Sequence, residues 1–149
     1  NLEAAGDFKT INKHDINYII NVAKEETISM GVINQYQKLN IKYTCIDISE
    51  HPLANFMPIF KKYIPKLYKQ KGNIFIHCIE GRSRSVVMAI ALIIFRYHTN
   101  IKHIKCKPDA IFDKVIAHVR KKYPAARPNG NSQKILKNYE SYLIKKYTV

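Results

Sequence analysis

The 149-residue sequence has no tryptophan, only five glycines, three cysteines and few acidic residues. Each scarcity excludes something. Cys45, Cys78 and Cys106 are odd in number and follow no short regular spacing, which argues against a disulfide framework and points to a reducing compartment, cytosol or nucleus. Five glycines and six prolines are too few for collagen or a low-complexity chain. The longest apolar run, Val86 to Phe95, falls well short of the roughly 20 residues that span a bilayer, and it is internal, so it is not a signal peptide. Acids number 11 against 25 Lys+Arg, a formal charge of +14, so the surface should attract polyanions. The missing tryptophan accompanies an abundance of Lys, Asn, Ile and Tyr, residues with AT-rich codons, so genome composition is an alternative source for part of the basic excess.

What is present fits one globular domain spanning 1–149. Hydrophobic residues make up 46% and charged residues 24%, and the length is enough for one buried core. Because the chain starts at Asn1 rather than Met, its N-terminal edge is expected to be truncated. No repeat or linker interrupts it.

Hydrophobic periodicity predicts alternating strands and helices. Strands are expected at Tyr18–Ala23, Tyr43–Ile48 and Ile74–Ile76, the last ending at His77. Helices are expected over Thr27–Leu39 (interrupted by Gly31), Asn55–Gln70 (bent or broken at Pro65), Ser85–Tyr97 and Pro108–Lys122. A last helix should be capped by Asn131 or Ser132 and bury Ile135, Leu136, Tyr139 and Leu143. Lys71-Gly72-Asn73 reads as a turn and Tyr123–Gly130 as a loop. The predicted fold class is α/β: a single domain with a central, mostly parallel sheet flanked by helices.

The stretch Ile74-Phe-Ile-His-Cys-Ile-Glu-Gly-Arg-Ser-Arg-Ser85 carries the chemistry. Here a buried strand passes through a short loop into a buried helix. Ligands in open α/β sheets bind beyond strand carboxyl ends, and a helix N-terminus there favours an anion. Cys78 at the loop's start gains thiolate character from the helix end and the nearby cations. Arg84, on the helix's first turn, offers a fork that fits two phosphate oxygens. Gly81 supplies backbone angles that a tight loop needs. Together these make a phosphate-binding loop with a nucleophile at its base, a layout for covalent phosphoryl transfer.

His77 to Ser85 resembles the signature of the cysteine-dependent protein tyrosine phosphatases, and Ser83-Arg84-Ser85 resembles their dual-specificity branch. Asn21-Val22-Ala23, Ala125 to Asn129 and Tyr139-Glu140 extend the likeness through most of the chain. The resemblance implies an enzyme without metal or other cofactor that hydrolyses phosphotyrosine and phosphoserine or phosphothreonine. It implies that Cys78 forms a phosphocysteine, that Arg84 binds the phosphate, and that Ser85 hydrogen-bonds the sulfur. It further implies that the backbone of Ile79, Glu80, Gly81, Arg82, Ser83 and Arg84 lines the pocket while His77 orders the loop. Arg82 is expected at the pocket rim.

Such an enzyme needs a carboxylic acid to protonate the leaving oxygen. The polar stretch after Tyr43–Ile48 offers Asp47 and Glu50. In the family an aspartate precedes an asparagine by five positions; here Asn55 follows Glu50 by five. The register favours Glu50, a departure from aspartate, while Asp47 keeps the residue type but is expected on the strand itself.

Three further features are weaker. His98, His103 and Cys106 are metal-ligand types, but their spacing matches no common zinc pattern and an exposed connector is the better reading. Cys45 precedes the acid loop, and a protective Cys45–Cys78 disulfide is one candidate outcome of oxidation. Lys and Tyr interleave over Tyr63–Lys71, yet the apolar positions form a helical stripe, which disfavours a nucleic-acid surface. The expected partner is a phosphorylated protein bound by a monomer with no transmembrane segment. The alternatives are a phosphoinositide phosphatase, an RNA 5'-triphosphate phosphatase, or a catalytically weak phosphate-binding module.

Overall fold

A computed structural model of the chain describes residues 1–100 and 109–147. Three strands form one sheet: β1 (Ile16–Asn21), β2 (Lys42–Cys45) and β3 (Asn73–His77), in the order β2-β1-β3 with both pairings parallel. Side chains alternate along β1. Ile19 enters a smaller core with Ala5, Ile11, Ile33, Tyr36 and Ile41, while Tyr18 and Ile20 enter the larger core on the other face. The smaller core is closed by α1 (Leu2–Gly6), α2 (Phe8–Lys13) and α3 (Met30–Lys38). The larger one is closed by α4 (Met57–Tyr68), α5 (Arg84–Asn100), α6 (Phe112–Lys122) and α7 (Gly130–Tyr147). The α/β layering read from the sequence is therefore present. Among the described residues no helix is long and apolar enough to cross a membrane.

Several boundaries differ from expectation for physical reasons. β1 starts earlier and ends at Asn21; Val22 and Ala23 stay buried beyond it. β2 stops at Cys45, leaving Asp47 past the strand rather than on it. Gly31 does not interrupt α3, because it sits in a first turn that Ser29 caps by accepting from the Val32 N–H. α4 is continuous through Pro65, which falls in the helix's last turn. α6 begins at Phe112 rather than near Pro108, which lies outside the described residues. The cap of α7 is neither Asn131 nor Ser132: Asn129 Oδ1 accepts from the Ser132 N–H at 2.8 Å. Helices α1 and α2 were not expected; they are too short for a periodic signal and are held by the side-chain caps Asn1 and Asp7.

The register places the site. Asn21 is level with Cys45 on one side and His77 on the other, so all three strands end at one edge. Past that edge Ile46 N–H still donates to Asn21 O and Val22 N–H to His77 O, both at 2.8 Å, which carries the three loops out side by side.

Candidate active site

Cys78 follows β3 and is only 3% exposed. Its Sγ accepts from the Gly81 N–H at 3.3 Å and lies 3.4 Å from Ser85 Oγ. Burial pushes the thiol up, but the Ser85 hydroxyl, the N–H groups of Ser85 and Gly81 and the Arg84 charge outweigh it and hold Cys78 below its ordinary value. The loop curls because Gly81 adopts φ +76°, and a Cβ there would meet the Asn1 backbone nitrogen at 2.9 Å. The angle expected of Gly81 is thus the one it has.

Two backbone bonds clamp the loop from outside: Leu2 N–H to Ile79 O at 3.0 Å and Arg127 N–H to Arg82 O at 2.8 Å. His77 lies beneath it, fully buried, with its ring stacked on Phe75. Burial pushes His77 down to about 4, so the ring is neutral at pH 7, and Nδ1 faces the Cys78 carbonyl at 3.4 Å. A carbonyl only accepts, so Nδ1 carries the proton in this contact.

Arg84 opens α5 and is buried. Nη1 donates to Ile48 O and Nη2 to Glu50 Oε1, each at 3.2 Å. A small cavity of about 90 Å³ sits over the sulfur, lined by Glu50, Cys78, Glu80, Arg82, Ser83 and Arg84. Ser83 is half-buried there, whereas Ile79, Glu80 and Arg82 are exposed and Arg82 forms a 3.7 Å pair with Glu80 at the rim. Of the two carboxylates offered for proton transfer, Glu50 lines this cavity. Asp47 lines a separate neighbouring cavity of about 370 Å³ with Lys24, Thr27 and Ile79; Glu50 and Arg84 border both.

The loop that carries Glu50 and the loop after β1 are held by side chains to which the sequence analysis gave no part in the site. Asn129 Nδ2 donates to Pro52 O at 3.1 Å and Asn131 Nδ2 to Ala54 O at 3.4 Å. Asn21, fully buried, accepts from the Ala23 N–H and donates to Lys24 O, Thr27 Oγ1 and Tyr43 OH, fixing the loop after β1. An asparagine closing the buried run Tyr18 to Ile20 was the available signal for that role.

His98 is not in a connector. It lies inside α5, buried, with Nε2 2.8 Å from Glu140 Oε1. Glu140 also accepts from the Ile111 N–H at 2.7 Å and the Phe112 N–H at 3.1 Å. It therefore caps α6, and His98 serves packing. His103 and Cys106 lie outside the described residues. Cys45 and Cys78 are both free thiols. Cys45 donates to Ala23 O at 3.2 Å, and burial pushes its thiol up.

The model of the family "Dual specificity phosphatase, catalytic domain" matches residues 3–142. The human dual specificity protein phosphatase 22 is 24% identical over 99% of this chain and 71% of its own length. The Drosophila melanogaster dual specificity protein phosphatase Mpk3 is 26% identical over 92% of this chain, which spans only 30% of that protein. Among solved structures, the crystal structure of DUSP15 superposes with a TM-score of 0.70 at 18% identity, covering 99% of this chain and 86% of that one.

Proposed function

The chain belongs to the dual-specificity protein phosphatases, and from that premise we propose that it hydrolyses phosphotyrosine and phosphoserine or phosphothreonine in proteins through a phosphocysteine on Cys78. The observation that carries this reading is the environment of Cys78. A buried sulfur receives a backbone N–H, faces a hydroxyl and an arginine, and is held toward the thiolate at the floor of a phosphate-sized cavity.

In the first step the Cys78 thiolate attacks phosphorus. An S–P bond forms as the bond to the substrate oxygen breaks, and protonated Glu50 gives its proton to that leaving oxygen. The fork of Arg84 and the loop N–H groups from Ile79 to Arg84 stabilise charge on the equatorial oxygens. In the second step water attacks the phosphocysteine. Glu50, now a carboxylate, takes the water's proton, and the S–P bond breaks to release phosphate and regenerate the thiolate. Ser85 Oγ stabilises that departing sulfur by donating to it. His77 orders the loop from beneath through the Cys78 carbonyl, and Arg82 stands at the rim.

The test is hydrolysis of a panel of phosphotyrosine and phosphothreonine peptides, with phosphoinositides and triphosphate-ended RNA alongside. Turnover of both peptide classes, abolished in Cys78→Ser, is expected. Preference for a phosphoinositide or RNA end reassigns the substrate. Binding of phosphopeptides without turnover reduces the protein to a binding module.

A further inference from the structure

We propose that Glu50 is a latch on the phosphate-binding arginine: without substrate its carboxylate holds the Arg84 nitrogen that a phosphate needs, and phosphate must displace it. This rests on the cradle and acid roles proposed above and adds a competition between them.

Both arms of the Arg84 fork are engaged by the loop after β2, Nη1 by Ile48 O and Nη2 by Glu50 Oε1. The two partners differ in freedom. The Arg84 side chain is 9% exposed and the Glu50 side chain 71%. The arginine is therefore the fixed post, and the carboxylate is the part that moves. Glu50 also shares the mouth of the cavity over Cys78 with a second carboxylate, Glu80, which pairs with Arg82. In an otherwise basic protein, the entrance for a dianion is guarded by two acids, each on an arginine. An incoming phosphate replaces the carboxylate on Nη2 with a partner of higher charge.

The length of Glu50 matters here. An aspartate on the same backbone would end about 1.5 Å short, one carbon–carbon bond, beyond hydrogen-bond reach of Nη2. The glutamate, where the resembling family carries aspartate, thus permits the contact. The latch is weak because one partner is exposed, and pairs of that kind are worth at most about fivefold in an equilibrium constant. Displaced from Arg84, the carboxylate stays beside the cavity and takes a proton from solvent before it serves as the acid.

Titration calorimetry with tungstate, a tetrahedral dianion, tests the latch without turnover. Glu50→Gln removes the charge and Glu50→Asp removes the reach; each is expected to bind tungstate about three- to fivefold tighter than the unaltered protein. Unchanged or weaker binding in Glu50→Gln overturns the latch. Tightening in Glu50→Gln but not in Glu50→Asp overturns it as a contact, leaving only through-space repulsion. The failure of the underlying reading looks different: Arg84→Ala would then bind tungstate as well as the unaltered protein, whereas the cradle requires that binding to be lost.

Discussion

Cys78 Sγ and Ser85 Oγ lie 3.4 Å apart across the loop between β3 and α5, one just past the sheet's edge and the other inside the first turn of α5. The contact joins the two halves of the proposed reaction, because one hydroxyl both favours the thiolate before attack and receives the sulfur's charge when the phosphocysteine breaks. Ser85→Ala is expected to raise the Cys78 pKa, moving the iodoacetate alkylation profile to higher pH. It should also slow phosphocysteine breakdown more than its formation. A pre-steady-state burst of aryl alcohol that is larger, relative to steady turnover, than in the unaltered protein is the measurable sign.

As the proposed acid, Glu50 should separate substrates by leaving group. A phenolate with electron-withdrawing groups leaves without a proton, whereas an alkoxide does not. Glu50→Gln should therefore lower kcat on an alkyl phosphate by about 100-fold or more and on an activated aryl phosphate far less. Asp47→Asn should leave that ratio unchanged, since Asp47 faces the neighbouring cavity. The reverse result would move the acid role to Asp47.

Folding stability should fall as the solution is acidified, in two windows. His77 is buried neutral with its pKa lowered to about 4 from 6.5. Below about 6.5 the unfolded chain takes up a proton that the folded one refuses. Stability is therefore undiminished above 6.5, declines as pH falls, and reaches its full loss near 4. For Glu140 burial raises the pKa, but His98 and the two α6 N–H groups lower it by more, so its share is present above the unfolded value of 4.5 and is lost as pH drops below that. Urea unfolding from pH 7 to 4 measures the first window, and His77→Gln should flatten it.

Glu140 carries a second, larger expectation. Glu140→Ala leaves His98 Nε2 and the Ile111 and Phe112 N–H groups buried without their partner. The expected cost is about 3 kcal/mol in the urea midpoint analysis at pH 7, with little change in KM, because the cluster lies away from Cys78. A change below about 1 kcal/mol would mean that the α6 cap is dispensable.

The sequence was most legible where one force dominates. β3, α5 and the loop between them are bounded by continuous apolar runs, and their ends differ from expectation by at most a few residues. Cys78, Gly81 and Arg84 are close in sequence, so their convergence is a local matter of loop geometry. The acid loop was harder, because Glu50 reaches the cavity through contacts far along the chain: Asn129 and Asn131 hold Pro52 and Ala54 from 77 residues away. His98 was misplaced for the same reason. Nothing local distinguishes a histidine near the end of a helix from one in a connector, and the carboxylate that buries it is 42 residues distant. Helices α1 and α2 depend on two capping side chains, a signal too brief for periodicity to register.

The most direct test of the account is rapid acid quench of the protein turning over an aryl phosphate, followed by mass analysis of the peptide containing Cys78. A phosphoryl adduct on Cys78, absent in Cys78→Ser and accumulating in Ser85→Ala, is the predicted result. Turnover that persists in Cys78→Ser, or that proceeds with phosphate on another residue, would contradict it.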